Sequence, residues 1–426
     1  MGESMGMNRA LQVSLLKELM SQLDEGRNID AGVQYVMPTT PYICPDVASK
    51  EWQVLFRNHP QLVGLSGDLP KADSFFTLND FGVPILATRD KDGVFHAFLN
   101  ACRHRGVQVT NEVRGEKKRF TCPFHAWTYS AQGKLLAIPE EDHFGEIDKS
   151  CHGLIRLPAI ERNGLLWVHP QPEGELDIDN LLGSLSDEIA SLDFGSYIYA
   201  GGTEIDMKLN WKLANDTFGE TYHFQKLHKN TLGQIFYGNN LAYEEFGKNH
   251  RFVTASKQIY TLRDKPESEW RLTDGAFLIY YLFPNIQIVV NAGRVNLVRI
   301  YPDPENPARS ITRITSYFDQ VVADVVLADQ SDDDIPKVTA DNVYDASKPV
   351  GAVATLDATL EVFYSTVAQE DYVMGEYQQR AAQSGLLPQV IFGRNEPALH
   401  HFHHSFRKAI GLAPLEKINF SQRQKS

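Results

Sequence analysis

The chain has 426 residues, of which 41 are basic and 54 are acidic, so its formal net charge is −13. This length exceeds what one hydrophobic core usually serves and indicates about two domains. The negative charge repels phosphate backbones and argues against nucleic-acid binding, and the longest apolar runs, such as 321–326, are too short to cross a bilayer.

The first 45 residues are expected to form a helical segment that packs on the body of the protein. Apolar side chains recur there at helical spacing, at Leu11, Leu15, Leu16, Leu19 and Leu23. This spacing is typical of an amphipathic helix. The N-terminus has no cationic stretch followed by an apolar core and a cleavage site, so we expect a cytoplasmic protein without a membrane anchor.

A β-rich domain is predicted over 46–170. Between residues 73 and 100, polar side chains alternate with apolar ones and turn signals interrupt the pattern twice, which is typical of consecutive β-hairpins. A stretch rich in proline and acidic residues follows His169, and such a composition is typical of a connecting segment. We therefore place a second, larger domain over 171–426.

Two pairs of cysteine and histidine follow this series of strands. They are Cys102-x-His104 in "ACRHRG" and Cys122-x-x-His125 in "TCPFHAW". Four cysteines in so long a chain do not indicate a disulfide framework. Two thiolates and two imidazoles suit either a tetrahedral structural zinc or a two-iron cluster in which cysteines hold one iron and histidines the other. Unrelated buried cysteines are the remaining alternative.

A second set of candidate metal ligands lies in "NWKLANDTFGETYHFQKLH" at 210–228. His223 and His228 are five residues apart, so their side chains would diverge by about 140° on an ideal helix. They can share a metal only if the helix ends or bulges between them. Two imidazoles and one carboxylate form the facial triad of non-haem Fe(II) oxygenases. Segment 361–385 is predicted to be a helix that carries acidic residues and ends at Gly385.

Other features of the larger domain are interpreted as structural. The apolar stretches 277–283 and 286–301 predict strands, the second interrupted by a turn at 291–293. Four side chains near the candidate ligands suit a pocket and a packed core equally well: Phe218, Phe224, Leu227 and Phe363. Close to the C-terminus, His400, His401, His403 and His404 would point in different directions around a helix, so we do not expect a further metal site there.

The residues around the two cysteine and histidine pairs, "CRHRG" and "CPFHAWTYSAQGKL", closely resemble the Rieske iron–sulfur motif. About a hundred residues later, the chain continues with Asn-Trp-Lys and then with Glu-x-Tyr-His-x4-His. In this combination the sequence resembles, over nearly its whole length, the large (alpha) subunit of the Rieske non-haem iron oxygenases. These enzymes include the aromatic-ring-hydroxylating dioxygenases.

The resemblance assigns roles to individual residues. It implies that a [2Fe–2S] Rieske cluster is bound by Cys102, His104, Cys122 and His125. It implies that a mononuclear Fe(II) is bound by His223, His228 and Asp371, with Glu370 as the less favoured third ligand. Glu220 stands where the family has an acidic residue that bridges, across a subunit boundary, a cluster histidine of one chain and an iron-ligating histidine of the next.

The resemblance also implies a fold and partners. The fold would be α+β, with a small antiparallel β Rieske domain and a larger catalytic domain whose curved antiparallel sheet is flanked by helices. Electrons would come ultimately from NAD(P)H through a separate reductase, with or without a ferredoxin. The active species would be a homotrimer, with or without a small beta subunit, that takes O2 and a small-molecule substrate.

The expected function is that of a terminal oxygenase that hydroxylates, or oxidatively demethylates, a small organic substrate. An aromatic compound is the favoured substrate. The nearest alternative is a monooxygenase or demethylase that acts on a quaternary ammonium or methylated compound. Two alternatives from other classes stay open on the residues alone. These are an electron carrier without a mononuclear iron and a binding protein stabilised by zinc.

Overall fold

The computed structural model describes residues 7–326, 337–338, 353–354 and 356–418. The chain divides into two compact units. One unit comprises Met1–Trp52, Leu181–Leu192 and Tyr199–Ser426, and the other comprises Gln53–Asn180 and Asp193–Ile198. None of the helices in the described ranges combines the length and the apolar character that a bilayer crossing requires. The proposed division after residues 45 and 170 stays a prediction.

The chain up to Trp52 contributes α1 (Arg9–Glu25), β1 (Tyr35–Pro38) and α2 (Pro45–Glu51) to the larger unit. The predicted amphipathic helix is confirmed. The side chain of Asn8 accepts a hydrogen bond from the amide of Ala10 at 2.9 Å and so caps the start of α1. Gly26 ends the helix in the left-handed conformation, with φ of 61°. Leu16 and Leu19 are fully buried where α1 packs on the main sheet.

The smaller unit is built from short antiparallel strands. They are β2 (Gln61–Leu65), β3 (Ser74–Leu78), β4 (Ile85–Arg89), β5 (Phe95–Leu99), β6 (Arg114–Glu116), β7 (Arg119–Thr121), β8 (Thr128–Ser130), β9 (Leu135–Ala137), β10 (Arg156–Leu157), β11 (Ala159–Arg162) and β12 (Leu165–Val168). They form sheets with the orders β10-β5-β4-β3-β6, β11-β12-β2 and β7-β8-β9. The hairpins predicted over 73–100 are confirmed as β3, β4 and β5.

The rest of the chain supplies the remaining elements. Its helices are α3 (Ile178–Leu182), α4 (Ser186–Ser191), α5 (Trp211–Asp216), α6 (Leu232–Ile235), α7 (Leu272–Gly275), α8 (Gln320–Val326), α9 (Leu356–Ser365), α10 (Tyr372–Gln383) and α11 (Pro397–Ala409). Its strands are β13 (Ile198–Met207), β14 (Phe236–Phe246), β15 (Asn249–Ser256), β16 (Ala276–Leu282), β17 (Ile286–Asn291), β18 (Arg294–Pro302), β19 (Ser310–Phe318), β20 (Lys337–Val338), β21 (Val353–Ala354), β22 (Gln389–Phe392) and β23 (Glu416–Lys417). The predicted strands and their intervening turn are confirmed as β16, β17 and β18.

A seven-stranded sheet with the order β13-β19-β18-β17-β16-β15-β14 forms the centre of the larger unit. Helix α1 packs on β14 and β15, α5 packs on β18 and β19, and α11 packs on β14 and β15. Antiparallel strands covered by helices bury apolar side chains on one or both faces. Together with the β-rich smaller unit, this architecture confirms the predicted α+β fold class.

Helix α5 carries the Asn-Trp-Lys motif and lies almost entirely inside the larger unit. The Asn210 side chain accepts a hydrogen bond from the amide of Lys212 at 3.0 Å and so caps the start of the helix. The Lys212 ammonium lies 2.6 Å from one oxygen of Glu51, and the indole of Trp211 donates to the other at 2.8 Å. Lys212 and Glu51 are fully buried, so this ion pair attaches α2 to the helix that precedes the candidate ligands.

Because Lys212 and Glu51 have no access to water, the loss of one partner leaves the other as an unpaired buried charge. We expect Lys212→Met to destabilise the protein by about 3 kcal/mol. For a unit of this size it corresponds to a fall of roughly 5 °C in the unfolding midpoint, measured by scanning calorimetry.

Lys17→Met is the matched control for this prediction, because Lys17 pairs with Glu267 at 2.7 Å while both side chains stay about half exposed. Removal of an exposed pair costs less than about 1 kcal/mol. If the two variants shifted the midpoint equally, the buried pair would not have the anchoring role described here.

Candidate iron–sulfur and mononuclear iron sites

Two loops of the smaller unit carry the cysteine and histidine pairs, and their backbones follow the same pattern. The amide of Cys102 donates to the carbonyl of Val107 at 2.7 Å, and the amide of Cys122 donates to the carbonyl of Trp127 at 2.8 Å. The fifth residue of each loop is in the left-handed conformation, with φ of 76° at Gly106 and 57° at Ala126. Two equivalent turns therefore present one thiol and one imidazole each.

The four side chains of these loops converge. Cys102 and Cys122 are 4% and 3% exposed and belong to the hydrophobic core of the smaller unit. The ring centroids of His104 and His125 are 4.6 Å apart. The hydroxyl of Tyr129 lies 3.3 Å from the sulfur of Cys102 and accepts a hydrogen bond from the Arg103 amide. Burial raises the pKa of the Cys122 thiol.

The residues fit a cluster that is held by two thiolates and two neutral imidazoles. His104 stacks on Trp127 with a centroid distance of 5.2 Å, which fixes the plane of the imidazole. Its Nδ1 is buried and has no hydrogen-bond partner among the described residues. A buried ring nitrogen without a partner is costly in a folded protein unless it binds a ligand, so Nδ1 is available to a metal.

His223 and His228 lie in the larger unit, on consecutive turns rather than on a helix. The sequence allowed a helix that ends or bulges between them, but α5 already ends at Asp216. The chain leaves the turn at Gly233, whose amide donates to the His228 carbonyl at 2.8 Å. A Cβ at Gly233 would lie 2.8 Å from that carbonyl oxygen and 2.7 Å from the carbonyl oxygen of Phe224, so the close approach needs glycine.

Asp371, the third candidate ligand, belongs to an irregular helix. The predicted helix over 361–385 is confirmed in part, because α9 and α10 are joined by a π-helical segment, Thr366–Asp371, and α10 ends before the left-handed Gly385. Such π-helical turns frequently occur at functional sites because they redirect side chains. Here the segment ends at Asp371, which is buried.

The two histidines and Asp371 form a compact group of candidate metal ligands. Oδ1 of Asp371 lies 3.0 Å from Nε2 of His228 and 3.3 Å from Nε2 of His223. One ligand atom from each residue lies within 4.8 Å of the others. Two imidazole nitrogens and one carboxylate oxygen in this arrangement match the facial triad of non-haem iron proteins.

The other nitrogen of each imidazole contacts a further carboxylate. Nδ1 of His223 hydrogen-bonds Glu220, and Nδ1 of His228 lies 2.6 Å from Glu370, which also accepts a hydrogen bond from the Thr231 hydroxyl at 2.9 Å. Carboxylates in such positions fix the orientation of a ligating histidine and leave Nε2 free for the metal. Glu370, the less favoured third ligand, therefore contacts Nδ1 of His228, whereas Asp371 contacts Nε2 of the same ring.

Three carboxylates around two imidazoles make this region strongly attractive to cations. Burial lowers the pKa of His223, but hydrogen bonds to Asp371 and Glu220 outweigh it and raise the pKa to about 10. Burial alone would raise the pKa of Asp371, yet the two histidines bring it below its usual range. The charges therefore favour a cation between the rings and the carboxylate.

A cavity of about 260 Å3 opens beside the triad. Most of its lining is aromatic or aliphatic, and it includes three of the four side chains proposed from sequence: Phe218, Phe224 and Phe363. Leu227 does not line it. The polar exceptions, apart from the triad and Glu220, are mainly on β17, β18 and β19: Asn291, Arg294, Asn296 and Ser316. A largely apolar cavity with a few polar groups is typical of small-molecule sites.

The four histidines near the C-terminus contact different partners. His403 lies 2.9 Å from Asp216, His401 lies 3.0 Å from His250, and Nδ1 of His404 lies 2.7 Å from the carbonyl of His400. They lie on α11, as the sequence predicted, and point in different directions around it.

Two family models match the chain. The model described as the ring hydroxylating alpha subunit (catalytic domain) matches residues 194–411, which is just over half of the chain. The model described as the Rieske [2Fe-2S] domain matches residues 59–155. The first range contains the triad, and the second contains both loops with the cysteine and histidine pairs.

Individual relatives are similar over parts of their length. The chain is 30% identical over 201 residues, or 47% of its length, to the glycine betaine monooxygenase oxygenase subunit of Chromohalobacter salexigens. It is 28% identical over 205 residues, or 45% of its length, to the anthranilate 1,2-dioxygenase large subunit of Acinetobacter baylyi. These matches span 44% and 42% of the two relatives.

A solved structure with a similar fold is that of the quaternary ammonium Rieske monooxygenase CntA in complex with L-carnitine. The TM-score is 0.68 at 18% identity, and the match covers 89% of this chain and 96% of that one. Together, the two family models, the fold and the relatives confirm the resemblance that the sequence motifs indicated. The chain belongs to the family of Rieske oxygenase alpha subunits, in which a Rieske [2Fe–2S] domain accompanies a ring-hydroxylating catalytic domain.

Proposed function

We propose that this chain is the terminal oxygenase component of a Rieske non-haem iron system. The observation that carries the proposal is the approach of two imidazole Nε2 atoms to one oxygen of Asp371 at the wall of a mostly apolar cavity. The same chain also presents two thiols and two imidazoles from paired loops. An electron carrier does not need the triad, and a zinc-stabilised binding protein needs neither the triad nor the cavity.

The residues divide into two sets of ligands. Cys102, His104, Cys122 and His125 would hold the [2Fe–2S] cluster, and His223, His228 and Asp371 would hold the mononuclear Fe(II). When bound, the cluster supplies one-electron transfer and the mononuclear iron supplies the activation of dioxygen. The chain contributes the geometry. Glu220 and Glu370 keep the two imidazoles oriented, and the apolar walls of the cavity exclude water.

The proposed reaction is hydroxylation or oxidative demethylation of a small organic substrate. Phe224 and Phe277 lie parallel with centroids 6.3 Å apart, and Phe236 meets Phe277 edge-on at 4.5 Å. Aromatic walls of this kind favour a flat aromatic substrate. They also attract a quaternary ammonium group, and one relative is named for glycine betaine. Demethylation of such a compound is therefore the second candidate function.

The proposed oxygenase needs partners that supply electrons to its cluster. NAD(P)H would deliver electrons through a separate reductase, with or without a ferredoxin, in the cytoplasm. We further propose a homotrimer, with or without a small beta subunit, in which the cluster of one copy serves the iron of the next. Glu220, which hydrogen-bonds His223 within its own chain, would then contact His104 or His125 of a neighbouring copy.

The first test of the proposal is metal content combined with isotope incorporation. The purified holoenzyme should be brown and contain about three irons per chain, two in the cluster and one at the triad. With a reductase, NADH and 18O2, at least one compound of a substrate panel should gain 18O, or lose a methyl group with 18O in the aldehyde. A colourless zinc protein would contradict the proposal.

A second test concerns the triad. His223→Ala should keep the visible spectrum of the cluster, lose the third iron and lose turnover, because two remaining ligands hold Fe(II) weakly. His143→Ala is the matched control, since that side chain is exposed and lies in the smaller unit. If His223→Ala kept all its iron and its rate, the mononuclear site would lie elsewhere.

A third test concerns Glu370, which would orient His228 without binding metal. Glu370→Gln keeps a hydrogen-bonding oxygen but loses the charge, and Glu370→Ala loses both. We expect iron affinity at the triad, measured against a competing chelator, to fall about 10- to 100-fold for Ala and less for Gln. The exposed Glu361→Gln on α9 is the control. Complete loss of iron in Glu370→Gln would instead make Glu370 a ligand.

A fourth test addresses the proposed path between copies. Glu220→Ala, supplied with enough Fe(II) that the third iron is present, should remain trimeric by light scattering, keep the cluster, and be reduced by the reductase at the parent rate. Reoxidation of the cluster by O2 and substrate, followed by stopped-flow absorbance, should be nearly abolished. Fast reoxidation in this variant, or an active monomer, would rule out this route.

A further inference from the structure

The main sheet forms one wall of the cavity. This wall changes from apolar to polar side chains across the strands. Residues paired directly across neighbouring strands form a single row: Phe252 on β15, Ile279 on β16, Val289 on β17, Asn296 on β18 and Ser316 on β19. All five line the cavity. Three apolar members are therefore followed by two polar ones, and a ligand that lies along the row meets an apolar end and a polar end.

Arg294 lies next to the polar end of this row. It is paired across the sheet with Asn291 on one side and with Phe318 on the other, and all three residues line the cavity. Its guanidinium is 5.9 Å from the centre of the Phe318 ring. Among the described residues, no carboxylate lies within ion-pair distance of Arg294, and burial lowers the pKa of its guanidinium.

Three other arginines of the larger unit have carboxylate partners. Arg251 contacts Glu188 and Glu244, Arg309 contacts Asp206 and Asp303, and Arg313 on β19 lies 2.6 Å from Glu204. A partly buried cation without a counter-charge loses hydration and gains no Coulomb attraction in return. An anionic group of a bound ligand would supply the missing partner.

One neighbouring polar side chain, Asn296, is oriented so that it can act as a donor. The Ser316 hydroxyl donates to the carbonyl oxygen of Asn296 at 2.6 Å, which orients the Asn296 amide. Because the oxygen end of the amide faces Ser316, its NH2 end can donate to an acceptor in the cavity. A guanidinium and an amide NH2 together match the two oxygens of a carboxylate, which guanidinium binds in a bidentate manner.

Another part of the cavity lining repels an anion. Asp371 and Glu220 line the cavity, and both are acidic. A carboxylate near them would meet like charges, whereas the same group beside Arg294 would meet a cation. The charges therefore orient a ligand, with the carboxylate at β18 and the rest of the molecule toward the triad.

We propose that the substrate is an organic carboxylate whose anionic group is bound by Arg294 and Asn296 and whose apolar part extends toward the triad. This inference rests on the proposed function, and it makes Arg294 a residue that determines specificity. A cation that lacks a carboxylate is disfavoured at this end of the cavity. A zwitterion with a separate carboxylate fits.

The test compares acids with their neutral amides in the iron-loaded holoenzyme. The probes are benzoate with benzamide, phenylacetate with phenylacetamide, and trimethylglycine with its amide, and affinities are measured by isothermal titration calorimetry. In at least one pair the carboxylate should bind the parent protein at least about tenfold more tightly than the amide. Equal or tighter binding of the amides throughout, or no binding by any of the acids, would overturn the inference.

Variants of Arg294 test whether this residue causes the preference for carboxylates over amides. Arg294→Gln should weaken the favoured carboxylate at least about tenfold and leave its amide within about twofold, while Arg294→Lys should retain part of the preference. Arg313→Gln is the control, because Arg313 pairs with Glu204 and does not line the cavity. Unchanged carboxylate affinity in Arg294→Gln would also overturn the inference.

Calorimetry requires no turnover, so this result is independent of the test of the proposed function. If the amides bind as well as the acids while the third iron and 18O incorporation are present, only the role of Arg294 is wrong. If the third iron is absent, the proposed function is wrong, whatever the affinities are. The acid–amide comparison in the parent protein does not depend on the folding of any variant.

Discussion

The candidate mononuclear metal site of the larger unit depends on one oxygen atom of Asp371. Oδ1 of Asp371 lies within 3.3 Å of Nε2 of both His223 and His228, although His228 and Asp371 are 143 residues apart in the chain. Distances this short require that the turns after α5 and the π-helical segment be held in fixed positions. Helix α5 is fixed by the buried contact of Lys212 and Trp211 with Glu51, and the turns end where Gly233 allows close contact.

The two candidate metal sites solve the same physical problem in different ways. The cysteine and histidine pairs lie on two short loops of similar backbone conformation, so the local turns alone determine which side chains meet. The triad instead combines turns with a distant helix, and its histidines are each supported from behind by a carboxylate. Local loops make a rigid site from little chain, whereas distant elements leave room for a cavity between them.

The sequence predicted most of the strands and turns that depend on neighbouring residues. It predicted few of the contacts between segments that are far apart in the chain. Alternation predicted β3, β4 and β5, and the Asn-Ala-Gly turn predicted the hairpin of β17 and β18, because these patterns depend on neighbouring residues. Asp371 followed only from the family resemblance, since none of 54 acidic residues stands out by spacing. The position of Glu370 behind His228 depends on packing, and that of Arg294, which has no carboxylate partner among the described residues, depends on strand register; no local pattern determines either.

The cross-strand row from Phe252 to Ser316 relates the length of a ligand to the spacing of the strands. Neighbouring strands are about 4.8 Å apart, so the step from one strand to the next corresponds to roughly the length of three or four covalent bonds of a ligand. If the carboxylate of a ligand is held at β18 as proposed, the length of the ligand decides how many strands of the row it crosses. A larger side chain at one of the apolar positions of the row, on β15, β16 or β17, would shorten the space that is left and so favour shorter carboxylates over longer ones.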